Sequence, residues 1–182
     1  MFKNLLRKSF MFIVIMYVAT SIVYSQNMES ASFVTKHFVD DFGDPIDSLY
    51  LVNTFKGIFS NSATTNSLLV ASIIISKDRF GIELKEYGEH TVKNNYNYVI
   101  KIKTTSGNIY SGIAKSYSDI ARISMQILPK YLDFNEIFDG QSKTRFYIYE
   151  IDNPSTNYSF SCILPSLDYI KNILGDDIMW GN

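Results

Sequence analysis

The chain has 182 residues, with 17 Lys and Arg against 18 Asp and Glu, and this length suits one domain with a substantial core. The slightly acidic balance argues against nucleic acid as a partner and against electrostatic binding to anionic membranes. A single cysteine excludes a disulfide within the chain.

The first 25 residues have the three parts of a secretory signal peptide. Lys3, Arg7 and Lys8 precede an uncharged apolar run of 15 residues, FMFIVIMYVATSIVY. An uncleaved membrane anchor is the alternative, but it needs roughly 20 apolar residues. We therefore expect cleavage between Ser25 and Gln26, and a periplasmic or secreted product with no stable membrane insertion. No cysteine follows the apolar run, so a lipoprotein is not expected.

After the signal peptide, residues 26–35 are predicted to form a polar lead-in and residues 36–182 a single β-rich domain. Period-two alternation of apolar residues is the signature of half-buried strands. Strands are predicted at 51–59, 68–75, 80–85, 98–103, 109–117, 121–127, 146–149 and 158–164. Gly107-Asn108 between two alternating runs also predicts a hairpin.

Two short helices are predicted in the C-terminal third. The first covers about 129–138. The second starts at Pro165, a favoured first helical position, and ends at Gly175, a typical C-cap residue. The predicted fold is therefore mainly β: an antiparallel β-sandwich or open barrel of about seven to eight strands with two short helices.

The densest acidic segment follows His37 and contains four carboxylates within eight residues: Asp40, Asp41, Asp44 and Asp47. Such oxygen ligands could bind calcium, but their spacing matches no EF-hand loop. Asp44-Pro45 is ordinary turn chemistry. A solvated turn is the favoured interpretation, while a calcium site and a partner contact stay open as alternatives.

No residue can be assigned a catalytic or cofactor-binding role. His37 and His90 are the only histidines, and neither has a nucleophile and an orienting acid beside it in sequence. Glu83 and Glu86 lie on or near a strand end, but a carboxylate pair for glycoside cleavage depends on spatial separation. Cys162 lies on the apolar face of an alternating run, which predicts a buried, inert thiol.

The segment 59–67 is almost entirely Ser, Thr and Asn after its first residue. Such side chains commonly satisfy their own backbone, which predicts a polar hairpin loop. Loops on a rigid scaffold also carry binding sites. Its hydroxyls and amides are candidates for contact with a glycan or a protein edge: Ser60, Asn61, Ser62, Thr64, Thr65, Asn66 and Ser67.

Four segments resemble a family of small exported proteins of unknown function from Bacteroides-type bacteria. They are FVDDFGDP at 38–45, YLVNT at 50–54, SNSATTNS at 60–67 and LKEYG at 84–88. The likeness covers about 36–125 and implies compartment and domain type, but no activity. Exported proteins of such bacteria are O-glycosylated at Asp-Ser/Thr-aliphatic triplets, which implies Ser48 as a glycosylation site. The element order of the C-terminal third is also similar to that of the invasion-associated locus B proteins, which are periplasmic β-sandwiches.

Three hypotheses about function remain. The first is a non-enzymatic exported module that binds a protein or a glycan. The second is a hydrolase whose acidic catalytic residues are dispersed in the sequence and converge in a pocket. The third is a structural domain stabilised by calcium through the acidic segment.

Overall fold

The computed structural model describes residues 32–92, 96–117, 122–124 and 133–178, and almost all of them belong to one compact unit, Phe33–Asn182. The predicted mainly β, antiparallel class is confirmed. The strands are β1 Val34–Val39, β2 Pro45–Ser60, β3 Ser67–Ser76, β4 Phe80–Glu86, β5 His90–Thr91, β6 Asn97–Lys103, β7 Ile109–Tyr117, β8 Arg122–Ser124, β9 Lys143–Glu150 and β10 Asn157–Ile163. The helices are α1 Phe134–Ile137 and α2 Leu167–Leu174.

The strands form one sheet in the order β1-β2-β10-β9-β6-β7-β8-β4-β3, with β5 paired to β4. β3 also pairs with β2, from Tyr50 opposite Ser76 to Phe59 opposite Ser67. The pairings therefore lead from β2 through the other strands back to β2. Among the described residues along this path, β8 has the fewest paired residues, three with β7 and three with β4. Both predicted packings, sandwich and open barrel, are compatible with these pairings.

Alternation along β6, β9 and β10 separates a buried face from an outward face. Tyr98 on β6, Phe146 on β9, and Tyr158 and Phe160 on β10 all point into one hydrophobic core. The rings of Phe146 and Phe160 are stacked, with centroids 4.8 Å apart. The predicted burial of Cys162 is confirmed, because it lies on this face of β10 and is 4% exposed.

The two helices differ from the predicted ones in their starts. α1 begins at Phe134, where Asp133 acts as N-cap, and residues 129–132 lie outside the described part. α2 begins at Leu167, after Pro165, because the Ser166 side chain accepts a hydrogen bond from the backbone N–H of Tyr169 and caps the helix. The predicted C-cap at Gly175 is confirmed, with φ at 92°. Of the predicted strand 121–127, only 122–124 is described, and it is a strand.

The sheet has two ends, which we name by their connections. The hairpin loop 61–66, the β4–β5 turn 87–89 and the β9–β10 turn 151–156 lie together at the loop end. The β1–β2 turn 40–44, the β3–β4 turn 77–79 and the β6–β7 loop 104–108 lie at the other end, the turn end. Among the described residues, no helix is long and apolar enough to cross a lipid bilayer.

A two-stranded arm extends from the sheet at the turn end, and β1 is an element that the sequence did not predict. Residues 45–49 of β2 pair with β1 alone, because the pairing with β3 starts at Tyr50. Every residue from Val39 to Ser48 is exposed. We call residues 37–49 the arm. Because neither of its faces is buried, it carries no apolar alternation that would have predicted a strand.

Candidate binding surfaces

The acidic segment forms the turn of the arm. Asp40 accepts hydrogen bonds from the backbone N–H groups of Phe42 and Asp44, both at 2.9 Å. This is the local side-chain-to-backbone pattern of an Asx turn. No group of three or more His, Cys, Asp or Glu side chains in the described ranges is placed to hold a metal ion. The structure therefore does not bring Asp40, Asp41, Asp44 and Asp47 together as calcium ligands.

The predicted polar hairpin loop connects β2 and β3 at the loop end, and much of its polarity is used internally. The Asn61 carboxamide oxygen accepts from the backbone N–H groups of Ala63 and Thr64 at 2.9 and 3.1 Å. The Ser60 hydroxyl accepts from the N–H of Asn66, and the hydroxyls of Thr64 and Ser67 are hydrogen-bonded to each other. These bonds stabilise the loop and leave fewer groups for a ligand.

Ser62, Thr65 and Asn66 are the exposed polar side chains of this loop. Asn66 has φ at 54°, the left-handed conformation that asparagine adopts more readily than most residues. Because these three side chains are short, they can reach only those atoms of a partner that lie directly against the loop. The loop therefore offers a small contact area of its own.

The two histidines lie apart and are both exposed. His37 Nδ1 is 3.0 Å from the carbonyl oxygen of Ile46, across the arm. His90 lies in β5, where a loop was predicted, with its ring centroid 6.4 Å from that of Tyr87. Burial raises the pKa of the Cys162 thiol well above its usual range. The structure therefore brings neither histidine together with this cysteine as a catalytic pair.

A cleft of about 260 Å³ lies at the turn end, between the base of the arm, the β3–β4 turn and α2. Asp47, Ser48 and Asp78 are among its lining residues. Two aspartates in the lining of one cleft are the kind of residues that the hydrolase hypothesis requires. Ser48, the predicted glycosylation site, is exposed and lines the same cleft.

Asp78 is unsuited to act as the proton donor that glycoside cleavage requires. The hydroxyl of Ser76 donates to it at 2.7 Å, and Arg79 forms an ion pair with it at 3.0 Å. The Ser76 hydrogen bond, followed by the Arg79 contacts, lowers the pKa of the Asp78 carboxyl in spite of its partial burial. A general acid needs the opposite shift.

Two buried tyrosines lie inside the sheet near the loop end. The Tyr158 hydroxyl donates to the Glu86 carboxylate at 3.0 Å, and its ring lies 6.4 Å from that of Tyr98. The Tyr98 hydroxyl has no hydrogen-bond partner among the described residues. Burial, and then the charges of Glu86 and Glu150, raise the pKa of both phenols. Both therefore remain neutral and form part of the core.

Glu136 on α1 is the most heavily hydrogen-bonded carboxylate described. Thr104 donates to it at 2.7 Å and Asn108 at 3.1 Å, and the hydroxyls of Ser106 and Tyr110 donate as well. These bonds, with Ser106 the strongest influence, lower the pKa of Glu136 to about 2. The hydrogen bonds of Glu136 join α1 to the β6–β7 hairpin, so this residue has a structural role.

This contact predicts a pH-dependent contribution to stability. The folded pKa of Glu136 lies below the ordinary value of 4.5, so its contribution is present above about pH 4.5 and lost as the pH falls towards 2. We expect Glu136→Gln to be less stable than the wild type at pH 7, with the difference shrinking across this window. Thermal melting at several pH values measures it, and Glu89→Gln, at an exposed turn position, is the matched control. A constant difference between Glu136→Gln and the wild type from pH 7 to 2 would contradict the prediction.

The outward positions of β7, β6, β9 and β10 form a surface with an unusual composition, which we call the basic face. The structure describes the side chains at sixteen of these positions, and they hold five cations and no carboxylate, although the whole chain has more acids than bases. The cations are Lys101, Lys103, Lys115, Lys143 and Arg145.

Four cations of the basic face, Lys101, Lys103, Lys143 and Arg145, form no ion pair among the described residues. Lys103 is directly opposite Arg145 across β6 and β9. In the described part of the chain, ion pairs form at Lys77, Arg79 and Lys85, and none involves Lys101, Lys103, Lys143 or Arg145. Like charges in directly opposite positions destabilise a sheet. This arrangement is therefore unfavourable for the isolated protein and favourable for holding an acidic partner.

Two tyrosines lie in the middle of the basic face. Tyr147 and Tyr149 have ring centroids 5.8 Å apart, and Tyr147 is 41% exposed. The Lys101 ammonium lies 5.5 Å from the centre of the Tyr149 ring, within cation–π distance. Ile113, opposite Val99 on the same face, is 54% exposed. Tyrosine and exposed aliphatic groups among cations are typical of contact surfaces.

The sequence interpretation missed the basic face, although part of its signal was readable. Alternation in β6 and β9 places the cations and Tyr147 opposite the buried residues, so their outward direction follows from the sequence. The proximity of these side chains to one another does not follow from the sequence, because β9 is far from β6 along the chain and lies beside it only in the sheet.

Comparison with known proteins found no match among protein-family models, curated proteins or solved structures. The resemblance to the exported Bacteroides-type family therefore stays a prediction.

Proposed function

We propose that this chain is an exported, non-enzymatic binding module and that the basic face holds an acidic protein segment or an acidic glycan. The observation that carries the proposal is the sixteen outward positions with five cations, two tyrosines and no carboxylate. Export rests on the composition of residues 1–25.

Charge and ring chemistry together support an acidic partner. Arg145 can bind a carboxylate, sulfate or phosphate group through two parallel N–H donors, and lysines add compact charges. The neighbouring tyrosines offer apolar contact at low cost in side-chain entropy. Because Lys101, Lys103 and Arg145 form no ion pair among the described residues, an acidic ligand at these three side chains meets no competing carboxylate.

A binding module is favoured over a hydrolase by the state of the candidate groups. In the cleft, the hydrogen bond from Ser76 and the contacts with Arg79 lower the pKa of Asp78 and keep this carboxylate ionised. The interior tyrosines have pKa values raised by burial and remain protonated. None of these groups is tuned for proton transfer near neutral pH.

We expect the purified protein to bind dextran sulfate and not unsubstituted dextran. The double substitution Lys103→Gln/Arg145→Gln is expected to weaken that binding by about tenfold or more, because it removes two adjacent cations of the basic face. Titration calorimetry or an affinity column run at several salt concentrations measures the effect, and salt should weaken the wild-type binding.

The matched control is Lys36→Gln/Lys171→Gln, which removes the same charge from β1 and α2. It is expected to retain most of the wild-type affinity. An equal loss in both double variants would show that net charge alone controls binding and would refute a localised site. Failure of the wild type to bind dextran sulfate would also refute it.

A further inference from the structure

The arm has features of an element that is covered by another molecule. Phe42 at its turn is 92% exposed, and Val39 and Ile46 beside it are 59% and 41% exposed. A two-stranded hairpin is marginally stable by itself in water. Placing a phenylalanine at the most exposed point of such a hairpin adds nothing to the stability of the isolated chain.

The charge of the arm is opposite to that of the basic face. Residues 37–49 contain four aspartates and no lysine or arginine. All four aspartates are exposed, and Asp40 accepts two backbone hydrogen bonds within the turn. The arm therefore carries an acidic and apolar tip, and the basic face carries cations around Tyr147 and Tyr149.

The arm of a chain is not placed to contact the basic face of the same chain. Its two sides, the end of β1 and the start of β2, pair with each other, and its base lines the cleft beside α2. No ion pair or side-chain hydrogen bond among the described residues joins the arm to β6, β7, β9 or β10. An intermolecular contact places the two surfaces together without bending the arm.

We propose that the acidic partner of the basic face is the arm of a second copy of this chain. This inference rests on the proposed function, since it names the occupant of the same surface. Phe42 packs against Tyr147 and Tyr149, and the arm carboxylates pair with Lys101, Lys103 and Arg145. Arg145 adds specificity because its planar guanidinium matches a carboxylate with two donors.

Such a contact joins different surfaces of the two copies and leaves one arm and one basic face free. Heterologous contacts of this kind close into rings or continue as open chains. Association should therefore extend beyond dimers as the protein concentration rises. It should weaken as salt is added, since the contact is largely electrostatic at its rim.

Sedimentation velocity of the purified protein over a wide concentration range, at low and high salt, tests the proposal. Asp41→Lys/Asp44→Lys cancels the negative charge of the arm and leaves the Asp40 turn intact, and Lys103→Glu/Arg145→Glu removes most of the net positive charge of the basic face. Each variant alone is expected to associate about tenfold more weakly than the wild type. An equal mixture of the two is expected to recover association as dimers, because the unaltered basic face of the arm variant then meets the unaltered arm of the face variant.

Of these variants, Phe42→Ser should disturb folding least, because the Phe42 side chain is not part of the hydrophobic core. It is expected to weaken association while the melting midpoint is unchanged. A wild type that stays monomeric at every concentration overturns the inference, as does association that survives the arm substitutions. In both cases retained binding of dextran sulfate to the basic face would leave the proposed function standing.

Discussion

Gly57→Ala is expected to lower the free energy of unfolding by about 3 kcal/mol or more, a large effect for one methyl group. Gly57 lies in β2 where the strand pairs with β10 opposite Phe160. A Cβ atom there would overlap the backbone oxygen of Ser159 and lie 2.7 Å from the Cβ of Phe160. Neither atom belongs to a flexible side-chain end, so the two strands would have to separate.

Gly81→Ala is the matched control, also within a buried strand. The nearest atom to a Cβ at Gly81 is the backbone oxygen of Ile74, at an ordinary 3.9 Å. Its effect on stability should lie within about 1 kcal/mol of zero, because alanine costs less backbone entropy than glycine. Urea unfolding followed by far-UV circular dichroism compares the two. Equal midpoints for both variants would contradict the steric argument.

Phe146→Ala is expected to cost about 3–5 kcal/mol, as is usual for a buried phenylalanine. Phe146 is 1% exposed and stacks on Phe160 across β9 and β10. Tyr147, the next residue, points outward and is 41% exposed. Tyr147→Ala should therefore cost no more than about 1 kcal/mol of stability.

Tyr147→Ala should weaken binding, whereas Phe146→Ala should leave it unchanged. Tyr147→Ala removes a ring from the basic face, so the folded protein should bind dextran sulfate less tightly than the wild type. Phe146→Ala, measured at a temperature where it remains folded, should bind as the wild type does. Unfolding curves and binding isotherms from the same preparations provide both comparisons. Loss of binding in Phe146→Ala, or a large loss of stability in Tyr147→Ala, would contradict the assignment of faces.

Local patterns predicted most of the strands, because a half-buried strand repeats every two residues. Tyr98, Ile100 and Ile102 were expected on one face of their strand, and all three are buried. The hairpin at Gly107-Asn108 was expected from turn chemistry, and Gly107 has the positive φ of 95° that favours glycine. These features depend on residues close together in the chain.

The candidate sites were predicted less well than the strands. The polar hairpin loop was located correctly, but its sequence did not reveal that Asn61, Ser60 and Thr64 bond within the loop. The hydrogen bonds to Glu136 come from residues 26 or more positions earlier in the chain. The pKa of this carboxylate is consequently a property of the folded chain.

The sequence by itself determined the mainly β class, the inward and outward faces of most strands, the buried Cys162 and the turns. Each of these follows from spacing over a few residues. Only the tertiary structure decided that β9 lies between β6 and β10, which places Arg145 and Tyr147 beside Lys103 and Lys101. Alternation in the sequence predicts the face of the sheet on which a side chain lies, whereas the order of the strands determines which side chains are its neighbours. The basic face and its separation from the acidic arm therefore emerge only on folding.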